Sequence, residues 1–194
     1  VQKMKQTKKM DPMRWEESQQ KSIVWGIVPG IEKTTLAVLE KVHQDIQPKV
    51  RSIATILTDR MDGSLEDDER RYQEILDILD KYDLMYQPHA IGLQAHRCVT
   101  GQSHNANKAA IVYGGILFWA RNQGIFVKTF KQGEFSKRFF CDSEEAIREK
   151  LGLLIEGVQN KLRRSQYPRL ELKASCQAHL ILDELMKIRE NSKF

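Results

Sequence analysis

The sequence predicts an α+β protein with a helical N-terminal half, an antiparallel β-meander of four to five strands, and amphipathic C-terminal helices packed on that sheet. Three observations predict it. Between residues 11 and 83, apolar residues recur every three or four positions between breaker pairs, as helices require. From about 90 to 140 the period drops to two and the residues become β-branched and aromatic, the pattern of half-buried strands. From Ser143 the longer spacing returns, with Ile147, Leu151, Leu154, Ile155, Val158 and Leu162 on one face.

The first ten residues, VQKMKQTKKM, read as a flexible basic tail, and residues 11–194 as a single α+β domain with a helical subregion (11–83) and a sheet-plus-helix subregion (84–194). Asp11 and Pro12 suit an N-cap and first helical position. Ile23, Val24, Ile27 and Val28 carry that helix to Pro29-Gly30. Leu36, Leu39, Val42 and Ile46 mark a second helix, capped by Thr34 or Thr35 and ended by Pro48. Val50, Ile53, Leu57 and Met61 mark a third, which stops at Asp62-Gly63. Ser64 followed by Asp67 opens a fourth, whose apolar stripe includes Tyr72, Ile75, Leu79 and Tyr82.

Beyond Pro88, "AIGLQAHRCV" alternates as a strand does. Further strands are expected near 109–113, 116–121, 125–130 and 135–140, with turns at Gly114-Gly115, Asn122-Gln123-Gly124 and Lys131–Glu134. Ser143 caps the amphipathic helix. "RLELKAS" is a short strand or linker, and Ala178, Ile181, Leu182 and Leu185 indicate a last helix.

Several function classes are disfavoured. "SIVWGIVPGIEKTTLAVLEKV" superficially resembles a phosphate-binding loop, but Glu32 occupies the slot where the second glycine must let backbone N–H groups crowd the phosphates. No apolar run approaches the roughly 18 residues of a membrane span, and the start lacks an apolar leader core. Cys98, Cys141 and Cys176 are too few and too odd for a disulfide framework, so an intracellular location, cytoplasm or nucleus/nucleoid, is expected. No catalytic signature and no cofactor motif emerges.

Charge is more informative. The net charge is +5, with acids concentrated in residues 62–83 and cations in the tail and in residues 108–138. A basic surface draws polyanions. On the expected strands, Phe126, Lys128 and Phe130 share one face, and Phe135, Lys137 and Phe139 another. Aromatic rings stack on bases while lysines meet phosphates. A non-enzymatic nucleic-acid-binding role, for RNA or DNA, therefore assigns Arg121, Phe126, Lys128, Phe130, Lys131, Lys137 and Arg138 to the ligand. If Phe126, Lys128 and Phe130 lie buried under helix, stacking on them fails.

The three strands around "KQGEFSKRFF" followed by "DSEEAIREKL" resemble the layout of AP2-type and phage-integrase arm-binding modules, which implies a sheet laid in the DNA major groove. "LTDRMDGSLEDDERR" resembles part of the serine recombinase N-terminus, but Leu57 stands where the nucleophilic serine belongs. Two other classes compete. One is an assembly or interaction module, forming a homo-oligomer or docking a protein partner through its amphipathic helices. The other is an enzyme with a metal site at His89, His96, Cys98 and His104, donors that suit zinc.

Overall fold

The computed structural model describes residues 21–95 and 104–191. Its N-terminal part is sheet rather than helix. Strands β1 (Lys21–Val28), β2 (Lys33–Val42) and β3 (Lys49–Leu57) pair antiparallel in sequence. Strands β4 (Ala90–Gln94) and β5 (Phe126–Phe130) then extend the sheet on the far side of β1, in parallel. The result is one mixed five-stranded sheet of order β3-β2-β1-β4-β5, not an antiparallel meander.

The helices are α1 (Leu65–Tyr86), α2 (His104–Asn122), α3 (Glu134–Phe139), α4 (Glu144–Leu154), α5 (Val158–Arg163) and α6 (Pro168–Asn191). They cover both sheet faces. One core joins Trp25, Ile27, Leu36, Val38, Ile91 and Leu93 to α1 and α2. The other joins Val24, Val28, Leu39, Ala90 and Phe130 to α4, α5 and α6.

That double coverage explains the misread N-terminal half. A strand buried on both faces is a nearly continuous apolar run, and periodicity cannot separate it from a buried helix. Thr34 to Glu40 are all buried, so Leu36 and Leu39 fit a helical spacing while pointing to opposite sides of β2. The segments expected as strands at 109–113 and 116–121 are one helix, α2, with Gly114-Gly115 inside it. Gly115 is needed there because the Tyr72 ring of α1 occupies the space a side chain would fill. The expected strand at 135–140 is the short helix α3, and the long helix over 144–162 is broken at Gly157, whose φ is 82°. "RLELKAS" lies inside α6.

Other elements match expectation: Ser64 caps α1 by accepting from the Asp67 N–H at 3.1 Å, and Ser143 caps α4 through Ala146. β4 and β5 fall where alternation put them. The basic tail, the helix start at Asp11-Pro12, and His96 and Cys98 lie outside the described residues.

Helix α6 lies directly on β1 and β4. A Cβ added to Gly26 would collide with the Ala174 carbonyl and Ala178 N–H and stand 2.9 Å from Ala178 Cα, and one on Gly92 would strike the Gln177 carbonyl. Both strands lack side chains where the helix backbone crosses, which is what permits so close an approach.

We expect Gly26→Ala to lower the urea midpoint, with a loss of about 1–3 kcal/mol or more from overpacking against a backbone that cannot yield. Gly114→Ala, on the same chain but with nothing within 4 Å of the added carbon, is expected to gain up to about 1 kcal/mol from helix propensity. Urea titrations of the two variants at unchanged m-value check the contrast.

Candidate nucleic-acid interface

The mixed sheet has one edge at which β1, β3, β4 and β5 all end, because β3, β4 and β5 run in the same direction as β1. The β1–β2 hairpin turns there, and α1 and α2 start beyond it. Chain reversal at β1 makes this a switch point, and open α/β sheets place ligands outside the carboxyl ends of their strands at such points.

A buried polar network ties that edge together. Thr58, just after β3, donates to the Ile31 carbonyl, and its hydroxyl accepts from Arg71 Nε at 3.1 Å. Arg71 is only 1% exposed. Asp68 lies between Arg71 and Lys108, whose Nζ is 2.6 Å from Asp68 Oδ2. One carboxylate thus holds the starts of α1 and α2 to the end of β3, since unpaired buried charges would be costly.

On the opposite face, α6 runs antiparallel to β1. Its C-terminal Arg189 donates to Ser22 Oγ at 2.6 Å at the start of β1, while Ala174 crosses Gly26. Glu171, one turn before Ala174, is therefore carried toward Val28 at the end of β1. The β1–β4 register pairs Gly26 with Gly92 and Ile27 with Leu93, so Val28 and Gln94 follow as neighbours on the α6 side.

Val28, Gln94, Glu171 and the adjoining Gln177 thus define the strand-end site. Glu171 is buried, and that burial holds its carboxyl above the usual carboxylate range, partly offset by a hydrogen bond from Ser165. The side-chain carbonyls of Gln94 and Gln177 are buried without a hydrogen-bond partner among the described residues.

Cations gather beside this site. Residues 161–173 carry Lys161, Arg163, Arg164, Arg169 and Lys173 against Glu171 alone. All but Lys173 are exposed. Lys33, at the β1–β2 hairpin, sits 4.6 Å from the centre of the Tyr167 ring, which fixes the α5–α6 junction to the strand-end edge. A groove of about 440 Å³ opens next to it, with Arg169 and Lys173 on one wall and Asp142 and Ser143 on the other.

The residues expected to bind nucleic acid do not form one patch. Phe130 is wholly buried beneath the helices of its face, so it is unavailable for stacking, while Phe126 at the start of β5 is 45% exposed. Lys128 Nζ is 2.6 Å and Arg138 Nη2 is 3.2 Å from the same Glu184 carboxylate on α6, and Arg138 also faces Asp183 and Glu134. Those two cations serve as clamps between β5, α3 and α6. Arg121 is exposed in the last turn of α2, at the end of the sheet where β5 begins; Lys131 is exposed at the strand-end edge, and Lys137 is exposed on α3.

Among the described residues, no three His, Cys, Asp or Glu side chains come together to hold a metal. His89 Nδ1 accepts the Ile23 N–H at 3.0 Å, and burial keeps its pKa below the usual value. The side chain of His104, like His96 and Cys98, lies outside the described residues. No helix among the described residues is long and apolar enough to cross a membrane.

The basic run at 161–173 and the strand-end site were both missed by sequence reasoning. The first was detectable, since five cations and Tyr167 fall within thirteen residues. The second was not, because Val28 and Gln94 are ordinary strand residues until the register sets them side by side.

No protein-family model matches the chain, and no curated protein matches it in sequence. Solved structures do match its fold. Thermus thermophilus RuvC in complex with a Holliday junction substrate aligns with a TM-score of 0.61 at 18% identity, over 81% of this chain and 90% of that one. The yeast mitochondrial Holliday junction resolvase Ydc2 aligns with a TM-score of 0.58 at 12% identity, over 81% and 77%. The fowlpox virus resolvase, in complex with Holliday junction DNA, aligns with a TM-score of 0.53 at 12% identity, over 83% and 99%. At these identities the likeness establishes a shared fold.

Because burial raises the Glu171 pKa, the folded chain holds a proton there that the unfolded chain releases; this contribution to stability is present at low pH and lost as pH rises through the folded value. Glu171→Gln is therefore expected to be more stable than the parent near neutral pH, with the two converging below about pH 4. Thermal melts across pH check this; a constant difference at all pH values would contradict it.

Proposed function

We propose that this chain is a DNA-binding protein that holds branched duplexes against the strand-end edge of its sheet. The observation that carries this reading is the coincidence of a resolvase fold with a cationic rim at that edge. RuvC and the fowlpox virus resolvase have both been solved on Holliday junction DNA, which favours DNA over RNA and a branched substrate over a linear one. In this reading Arg163, Arg164, Arg169 and Lys173 meet phosphates from the α5–α6 side, and Lys33 and Lys131 meet them from the hairpin and the end of β5. Tyr167, half-buried beside Lys33, supplies an aromatic edge at the branch.

The groups first assigned to the ligand divide between roles. Lys131 joins the interface. Lys128 and Arg138 hold α6 to β5 and α3, so their replacement acts through folding. Arg121 and Phe126 lie at the end of the sheet where β5 begins and serve, with the exposed Lys137 on α3, as peripheral contacts to longer duplex arms.

Fluorescence anisotropy with a four-way junction, a linear duplex and an RNA of equal length, in a salt series, tests the reading. Six phosphate contacts predict a log–log salt slope of about −5. Arg163→Glu/Arg164→Glu, in protein with the parent's circular dichroism, is expected to lose at least about tenfold in junction affinity. Junction binding unchanged in that variant, or a preference for RNA, would contradict the assignment.

A further inference from the structure

We infer that the strand-end site engages its DNA without a two-metal cluster and therefore holds the phosphodiester without hydrolysing it, an inference that rests on the DNA-binding reading above. Two-metal nucleases set a pair of divalent cations on either side of the scissile phosphate, so that both the attacking and the leaving oxygen are stabilised. Hard cations of this kind take oxygen donors, with carboxylates supplying the charge. The donor set at the ends of β1 and β4 does not fit that demand.

Val28 offers no lone pair where the end of β1 faces α6. Gln94 offers a neutral carbonyl in the adjoining position on β4, and Gln177 another on the helix above. Among the described residues Glu171 is the carboxylate that α6 carries to the ends of β1 and β4, and its burial favours the uncharged form. The chain after β4 adds no further carboxylate: residues 95–110, AHRCVTGQSHNANKAA, contain no Asp or Glu. One buried carboxyl and two neutral amides do not balance the four positive charges of a metal pair.

The same substitution of amides for charge has a positive consequence. A carboxylate cluster at the strand ends would repel a phosphate until metals screened it, whereas neutral amides beside a cationic rim need no such screening. Junction binding is therefore metal-independent, and added Mg²⁺ weakens it only as any competing cation does.

The test uses the full chain. Titration calorimetry with Mn²⁺ and Mg²⁺, together with thermal melts in each, is expected to show no saturable binding and no stabilisation. Junction affinity is expected to be equal or higher in EDTA than in Mg²⁺, and a labelled junction is expected to stay intact in either cation. Val28→Asp/Gln94→Glu, which with Glu171 supplies three carboxylates, is expected to gain a saturable Mn²⁺ isotherm; should Asp at the buried Val28 position prevent folding, Gln94→Glu alone is expected to show a weaker one.

A saturable Mn²⁺ isotherm in the unaltered chain, or junction nicking that Glu171→Gln abolishes, would overturn the inference. Failure of the DNA-binding reading looks different: junction binding would be absent in EDTA and in Mg²⁺ alike, while the metal isotherm would stay flat.

Discussion

The approach of α6 to β1 and β4 is the constraint from which the rest of the structure follows. Because Gly26 and Gly92 present no side chain, the backbone of Ala174, Gln177 and Ala178 rests on the sheet itself. That contact sets the height and direction of α6. Direction places the site: an antiparallel helix crossing Gly26 at Ala174 brings Glu171 and the preceding basic junction to the ends of β1 and β4. A bulkier residue at either glycine would lift the helix and separate the rim from the strand ends.

Charge is divided along the same lines. On the α6 side, Glu184 gathers Lys128, Arg138 and Lys187, turning three cations of the outer layer into a structural clamp. On the α1 side, Asp68 gathers Arg71 and Lys108. The cations left facing solvent at the strand-end edge include those of the α5–α6 junction and the hairpin, together with Lys131 after β5. Arg169 is drawn toward Glu144, whose carboxylate lies 3.2 Å away, but remains largely open to solvent and keeps its reach.

How much of this was legible in the sequence depended on how each element is buried. Helix α1 has one wet face and a side-chain cap, so Ser64, Tyr72, Ile75 and Leu79 identified it correctly; Ser143 did the same for α4. β5 alternates because it is an edge strand with one solvated flank. β1 and β2 are central and covered twice, and Val24, Trp25, Leu36 and Leu39 carry no alternation to read. In α2, β-branched Ile111 and Val112 and the Gly114-Gly115 pair favour a strand locally, and burial of Val112, Ile116, Trp119 and Ala120 in the core, with Gly115 against Tyr72, explains the helix. The site was less legible still. Phe126, Lys128 and Phe130 do share a face, as alternation required, but only part of it is covered: Phe130 is wholly buried and Lys128 is tied to Glu184 of α6, while Phe126 stays exposed. Val28 and Gln94 became a pair only through parallel register between segments more than sixty residues apart in sequence.

In the proposed reading, DNA lies along the strand-end edge and the α5–α6 junction. Hydrogen–deuterium exchange of the full chain, with and without a four-way junction, tests it most directly because it reports every segment at once. Protection is expected in the 29–33 hairpin and across 161–173, with little change in the outer face of α2. Protection confined to α2 and the start of β5, with the hairpin and 161–173 unaltered, would contradict it and place the DNA on the opposite end of the sheet.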